Sequence, residues 1–184
     1  MVIRKQNKIL LKKSSIRLDK FLSNALYGQK GYYKNKKPIG RKSDFITAPE
    51  ISQMFGEIIG LYLFYNWKNK INSKFNFIEL GPGNGTLFID IFRSVSKYEN
   101  FIKQAEISLI EINKKLIKIQ KKNIRQNLKG SINWRRSINF NSKIPSIIYS
   151  NEFFDCFPVR QFIYKHRWYE KYVNFNEEND HFYF

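Results

Sequence analysis

The chain has 184 residues, 42% of them hydrophobic, and 33 Lys plus Arg against 15 Asp plus Glu give a formal net charge of +18. That length can bury one sizeable core, and a lone cysteine, Cys156, rules out an internal disulfide. His166 and His181 stand apart from any cysteine or paired acid, so no metal is assigned and no Ser-His-Asp triad can be built, and no apolar run approaches the ~18 residues that span a bilayer.

In chain order, Met1 to Ser15 is lysine-rich and acid-poor, with charges scattered through its apolar positions rather than a signal-peptide core. Leu18, Phe21, Leu22, Ala25 and Leu26 fall at helical spacing, and Tyr27 to Lys42 is a loop rich in Gly, Lys and Asn. Asp44, Phe45 and Thr47 are candidates for a lid over the glycine turn described next, the alternative being a simple connector. Thr47 to Glu50 has the form of a capping box with proline in the first turn. It opens a helix whose Ile51, Met54, Phe55, Ile58, Ile59 and Tyr62 are read as a core-facing stripe.

The stretch Phe75 to Thr86, F-N-F-I-E-L-G-P-G-N-G-T, is the most telling. Phe75, Phe77, Ile78 and Leu80 suit a buried parallel strand and Thr86 to Arg93 an amphipathic helix, so Gly81, Gly83 and Gly85 occupy a strand-to-helix turn. Glycines there admit positive φ and let a ligand approach backbone beside helix amides. The spacing is neither G-x-G-x-x-G nor a P-loop, and Glu79 at the strand tip would repel a pyrophosphate. The anionic Glu79 suits the sulfonium and ammonium of S-adenosylmethionine; another nucleotide, or an ordinary glycine turn, remains open.

Glu106 to Ile112 reads as a second strand, with Glu111 near its end placed to accept both ribose hydroxyls, or else to serve as a solvated loop acid. Lys114 to Arg136 reads as an amphipathic helix with its basic side in water. Ser146 to Asn151 is a third apolar strand running into Glu152-Phe153-Phe154-Asp155-Cys156-Phe157-Pro158. Ligands in open α/β sheets sit outside the carboxyl ends of the strands, which predicts one crevice shared by Glu79, Glu111 and residues 151–155. Glu152 and Asp155 could hold a cationic amine or guanidinium, although Asp155 could equally cap a helix. Cys156, in an apolar loop, reads as a packed residue rather than a nucleophile.

Three segments carry a resemblance: Gly31-Tyr32-Tyr33 through G-R-K-S-D-F-I-T-A-P-E-I-S-Q-M-F-G-E (Gly40 to Glu57), E-L-G-P-G-N-G-T, and S-N-E-F-F-D-C-F-P-V-R-Q-F (Ser150 to Phe162). Together they resemble the MidA family of S-adenosylmethionine-dependent methyltransferases, from about Ile16 to about Val173. Its mitochondrial members are similar to an arginine methyltransferase acting on a subunit of respiratory complex I. The resemblance implies a Rossmann-like α/β fold, with a helical N-terminal cap and lid over residues 1–70 and a methyltransferase core over 71–184. It implies S-adenosyl-L-methionine as cofactor, with the Gly81, Gly83 and Gly85 loop and Glu111 carried over as contacts, to which the reading of the residues adds Glu79 and Thr86. Protein arginine is the implied acceptor, met by Asn151, Glu152 and Asp155.

The chain departs from the family at Ser43, where glycine is usual, at Asn113-Lys114, where Ser-Pro is usual, and in length. The length suggests a sheet missing strands, a sticky edge in a chain with 17% aromatics, and a site that a second polypeptide would complete. Rival readings are therefore a fragment that binds cofactor or a partner without turnover, and a base methyltransferase. The latter would show Pro-Pro after Asn151, where Glu152-Phe153 stands. The basic charge is dispersed and follows a general excess of Lys, Asn and Ile, so it predicts salt-dependent non-specific association rather than a specific nucleic-acid site. A reducing compartment fits the single cysteine: bacterial cytoplasm, with the mitochondrial matrix as the alternative.

Overall fold

A computed structural model describes residues 15–29, 31–35, 47–125 and 131–184. The chain forms two compact units, one from residues 1–38 with 154–184, the other from 39–153.

The 39–153 unit is a parallel α/β layer structure. Its strands β2 (Phe75–Leu80), β3 (Ala105–Ile110), β4 (Ile132–Arg135) and β5 (Ser146–Tyr149) form one parallel sheet in the order β4-β3-β2-β5. Every residue of β2 is buried, as expected of a central parallel strand covered on both faces, and this explains its unbroken apolar run. The one amide in it, Asn76, has partners: its Nδ2 donates to the Asn141 carbonyl at 2.8 Å and to Ser146 Oγ at 3.1 Å. Helices α3 (Ala48–Ile51), α4 (Gln53–Lys70), α5 (Thr86–Val95), α6 (Glu99–Gln104) and α7 (Lys114–Arg125) belong to this unit. Trp67, Phe75, Phe77, Phe88, Ile91 and Phe101 lie at its centre. Rings account for much of this core: Phe64 stacks on Tyr98 at 3.8 Å and Phe101 meets Trp67 edge-on at 5.3 Å.

The helix read from Thr47 onward is corrected in three respects. Ser52 is extended, so the segment is a one-turn helix followed by the long α4, and Thr47 makes no side-chain cap bond. The stripe is also on the wrong side in part. Phe55 and Ile59 pack against the core, but Ile51, Met54, Ile58 and Tyr62 are 59 to 70% exposed. The buried seam instead carries Gly56 and Gly60, which bring α4 so close to α5 that a Cβ on Gly56 would lie 2.5 Å from Asp90 Cβ. Apolar residues run round the whole helix, so their spacing held no phase. The basic helix predicted to Arg136 is described only to Arg125, and Ile132–Arg135 is strand β4.

In the other unit, β1 (Ile16–Arg17) pairs antiparallel with β8 (Tyr172–Asn176), which pairs with β9 (His181–Tyr183). The predicted N-terminal helix is present as α1 (Leu18–Tyr27), and the short α2 (Tyr32–Asn35) follows it. Leu18, Phe21 and Leu22 of α1 pack with Val173, Phe175 and Phe182. Strands β6 (Phe162–Tyr164) and β7 (Trp168–Glu170) make a separate hairpin. The Arg160 guanidinium grips the Glu170 carboxylate at both oxygens, and Arg17 holds Asp19 in the same way. Exposed aromatics concentrate here, with Phe154, Trp168 and Phe184 each at least 70% exposed.

Candidate active site

Three strand ends of the parallel sheet meet at the glycine turn. Gly81, Gly83 and Gly85 all have positive φ, +62°, +57° and +85°, so this turn needs residues without Cβ. The turn closes through Gly85 N–H to the Pro82 carbonyl at 2.8 Å, and α5 starts at once with Thr86. At Gly81 space is also short: a Cβ there would lie 2.5 Å from the Phe153 ring.

Glu79 precedes the turn and is 2% exposed. In register it stands between Leu109 on β3 and Tyr149 on β5, whose hydroxyl donates to Glu79 Oε2 at 3.3 Å. Burial pushes the Glu79 carboxyl up to about 8, against the Tyr149 hydrogen bond, which acts to lower it. Tyr149 is raised well above its ordinary value, by burial first and by the neighbouring Glu79 second.

Glu111 follows β3 and is 8% exposed. Its Oε1 accepts the Asn113 N–H at 2.8 Å and its Oε2 accepts Gln120 Nε2 at 3.4 Å. Burial raises its carboxyl too, against the pull of these bonds. A third acid lies at the turn: Glu50 Oε1 on α3 accepts Thr86 Oγ1 at 2.7 Å and Asn84 Nδ2 at 3.3 Å. Among the described residues no ion pair joins a lysine or arginine to Glu79 or Glu111. Acids so placed suit a cationic ligand, whose approach would ionise Glu79, or a hydroxyl-bearing one, rather than a phosphate.

Of the residues singled out in the sequence, Glu79, the three glycines, Thr86 and Glu111 are brought together at this edge. Asn151 and Glu152 follow β5, next to the Tyr149 that bonds Glu79; Glu152 is exposed with φ +48° and its Oε1 accepts Asn151 Nδ2 at 3.4 Å. Asp155 belongs to the other unit, in a 3-10 turn Phe154–Cys156. In that unit Tyr27 donates to the Cys156 carbonyl at 2.7 Å and stacks on Tyr33 at 5.4 Å. Of the lid candidates, Asp44 and Phe45 lie outside the described residues, and Thr47 accepts the Glu50 N–H at its carbonyl, 2.9 Å, at the head of α3. Glu50 was read only as the acid of a capping box, and Gln120, Asn123 and Tyr149 were not singled out in the sequence. Gln120 and Asn123 left a signal, as amides set among Leu116, Ile117, Ile119 and Ile124 in an otherwise apolar and basic helix.

Among the described residues no group of three or more His, Cys, Asp or Glu is placed to hold a metal, and no helix is long and apolar enough to cross a membrane.

Comparison with known proteins adds three findings. Residues 58–184 match the model of a family of S-adenosyl-L-methionine-dependent methyltransferases. The mitochondrial protein arginine methyltransferase NDUFAF7 of Bos taurus is 37% identical over 155 residues, covering 72% of this chain and 35% of that protein. The Rattus norvegicus protein of the same name is 35% identical over 173 residues, covering 82% of this chain and 40% of that protein. The chain thus spans about two fifths or less of the length of these relatives. A crystal structure from Burkholderia thailandensis with S-adenosyl-homocysteine bound superposes with a TM-score of 0.78 at 20% identity, covering 99% of this chain and 48% of that one, which establishes the shared fold.

Proposed function

The chain belongs to a family of S-adenosyl-L-methionine-dependent methyltransferases, and from that premise we propose that it transfers a methyl group to arginine in a protein. The observation that carries the reading is the positive-φ glycine turn framed by the acids Glu50, Glu79 and Glu111. The names of the relatives supply the acceptor class. A complex I subunit is the acceptor implied by the MidA resemblance.

The cofactor, when bound, supplies a methyl group on a sulfonium. The rest falls to this chain's own side chains. Glu79, ionised by the approach of an ammonium, would balance that charge in a site closed to water. Glu111 would accept ribose hydroxyls through lone pairs left over by Asn113 and Gln120. Asn151 and Glu152 would hold the guanidinium by charge-assisted bonds and aim one nitrogen at the methyl group, and the exposed Glu152 carboxylate or solvent would take the proton which that nitrogen gives up as it gains the methyl.

Titrating S-adenosylmethionine into the purified chain by calorimetry tests the premise. Binding near micromolar, about 8 kcal/mol, is expected. Glu111→Gln, the same size without the charge, should weaken it about tenfold. No binding by folded protein would sink the reading. For the acceptor, labelled methyl transfer to arginine-containing proteins followed by acid hydrolysis should yield methylarginine; methylated bases instead would replace the arginine reading with a nucleic-acid one.

A further inference from the structure

We propose that Gln120 is a positioning residue for ribose recognition, fixing the Glu111 carboxylate and the glycine turn in one geometry. The inference rests on the cofactor reading above.

Gln120 is fully buried on α7, at a place in the stripe where an apolar side chain would be the default. A buried amide persists where its polar ends are satisfied. Here they are satisfied by three different elements. Nε2 donates to the Gly83 carbonyl at 2.8 Å and to Glu111 Oε2 at 3.4 Å, while Oε1 accepts Trp134 Nε1 from β4 at 3.1 Å. The indole N–H can only donate, so it settles which end of the amide is oxygen and turns both amide hydrogens toward the turn and the acid. One helical turn on, Asn123 Nδ2 donates to the next carbonyl of the turn, Asn84, at 3.0 Å.

The consequence for Glu111 is specific. The Glu111 carboxylate is held by backbone N–H groups, Asn113 at Oε1 at 2.8 Å and Ile112 besides, and by one side chain, Gln120 at Oε2, which sets the plane of the group; a carboxylate offers about four acceptor positions, so capacity is left for a ligand. A pair of adjacent hydroxyls is the ligand group that such a two-oxygen acceptor reads. Without Gln120 the carboxylate keeps only its backbone donors, Oε2 loses its side-chain partner, and the turn loses its tie to the acid.

A mere brace would lower stability and weaken all ligands alike; a positioning residue changes the ratio between ligands. The test therefore measures binding of S-adenosylhomocysteine and its 2′-deoxyribose analogue to the chain, to Gln120→Met, which keeps size but donates nothing, and to Trp134→Phe. The unaltered chain should prefer the ribose ligand about tenfold or more. Gln120→Met should bring the preference to within about threefold, and Trp134→Phe, by freeing the amide to turn over, should reduce it at least about threefold. A preference unchanged in Gln120→Met, whatever its unfolding midpoint, overturns the inference. If that variant folds or binds too poorly to measure, an unchanged preference in Trp134→Phe overturns it instead. An unaltered chain that binds without ribose preference overturns this inference and leaves the cofactor reading standing, whereas no binding at all overturns both.

Discussion

Ligand-free protein should lose stability as pH rises from 4.5, the ordinary value for a glutamate, to about 8, the value to which burial pushes Glu79. The sign follows from linkage. A carboxyl whose folded pKa lies above its unfolded value binds its proton more tightly when folded, so its contribution is fully present below the unfolded pKa and disappears as pH climbs through the folded one. Over this window the loss attributable to Glu79 is on the order of 4 kcal/mol. Denaturant titrations at several pH values, with Glu79→Gln in parallel, isolate it from the other acids, since Gln can still accept the Tyr149 hydroxyl but cannot ionise. Superimposable profiles would mean that Glu79 is not desolvated. The same shift makes cofactor binding proton-linked. An ammonium brought to the carboxylate favours its anionic form, so below about pH 8 binding should release a proton. Calorimetry in buffers of different ionisation enthalpy counts that proton, and subtracting the Glu79→Gln result cancels the ligand's own titration.

Gly60→Val should be the most damaging single change in the helical layer. A Cβ at Gly60 would collide with Ser94 Oγ on α5 and lie 2.8 Å from the Ile91 carbonyl, so α4 and α5 would have to separate along their length. Overpacking of this kind costs about 3 kcal/mol or more, which in a chain of this size lowers the melting temperature by roughly 10 °C. Ile58→Lys, on the 59% exposed side of the same helix, should change stability by less than about 0.5 kcal/mol. The reverse ranking, measured by thermal unfolding, would show that the helix faces the other way.

The contrast between these two positions marks where the sequence was readable. Strand β2, the turn and α5 could be read because several local signals agree: an apolar run, three glycines that only a left-handed turn requires, and an amphipathic continuation. Glu79 and Glu111 were identifiable because an acid at a strand end has a fixed place in such a sheet. Helix α4 could be located but not oriented, because close approach through Gly56 and Gly60 releases large apolar residues to the outside, against the assumption that apolar means inward. Glu50, Tyr149 and Gln120 reach their partners across 36, 70 and 37 positions respectively. Contacts of that range follow from the register of the sheet and the seating of helices on it, and no periodicity encodes either. Strand β4 was missed for a related reason, since a four-residue strand after a lysine-rich helix carries too few residues to show a period of its own.

The carboxylates at the turn also separate two kinds of ionic behaviour in one molecule. Lysines on the outside interact through water, and their hold on polyanions should fade steeply as salt is added. Glu79 is only 2% exposed, so its attraction for a bound cation should be screened much less than that of a surface charge. A high-salt wash can therefore strip adhering RNA from this protein while leaving a charged small molecule in place.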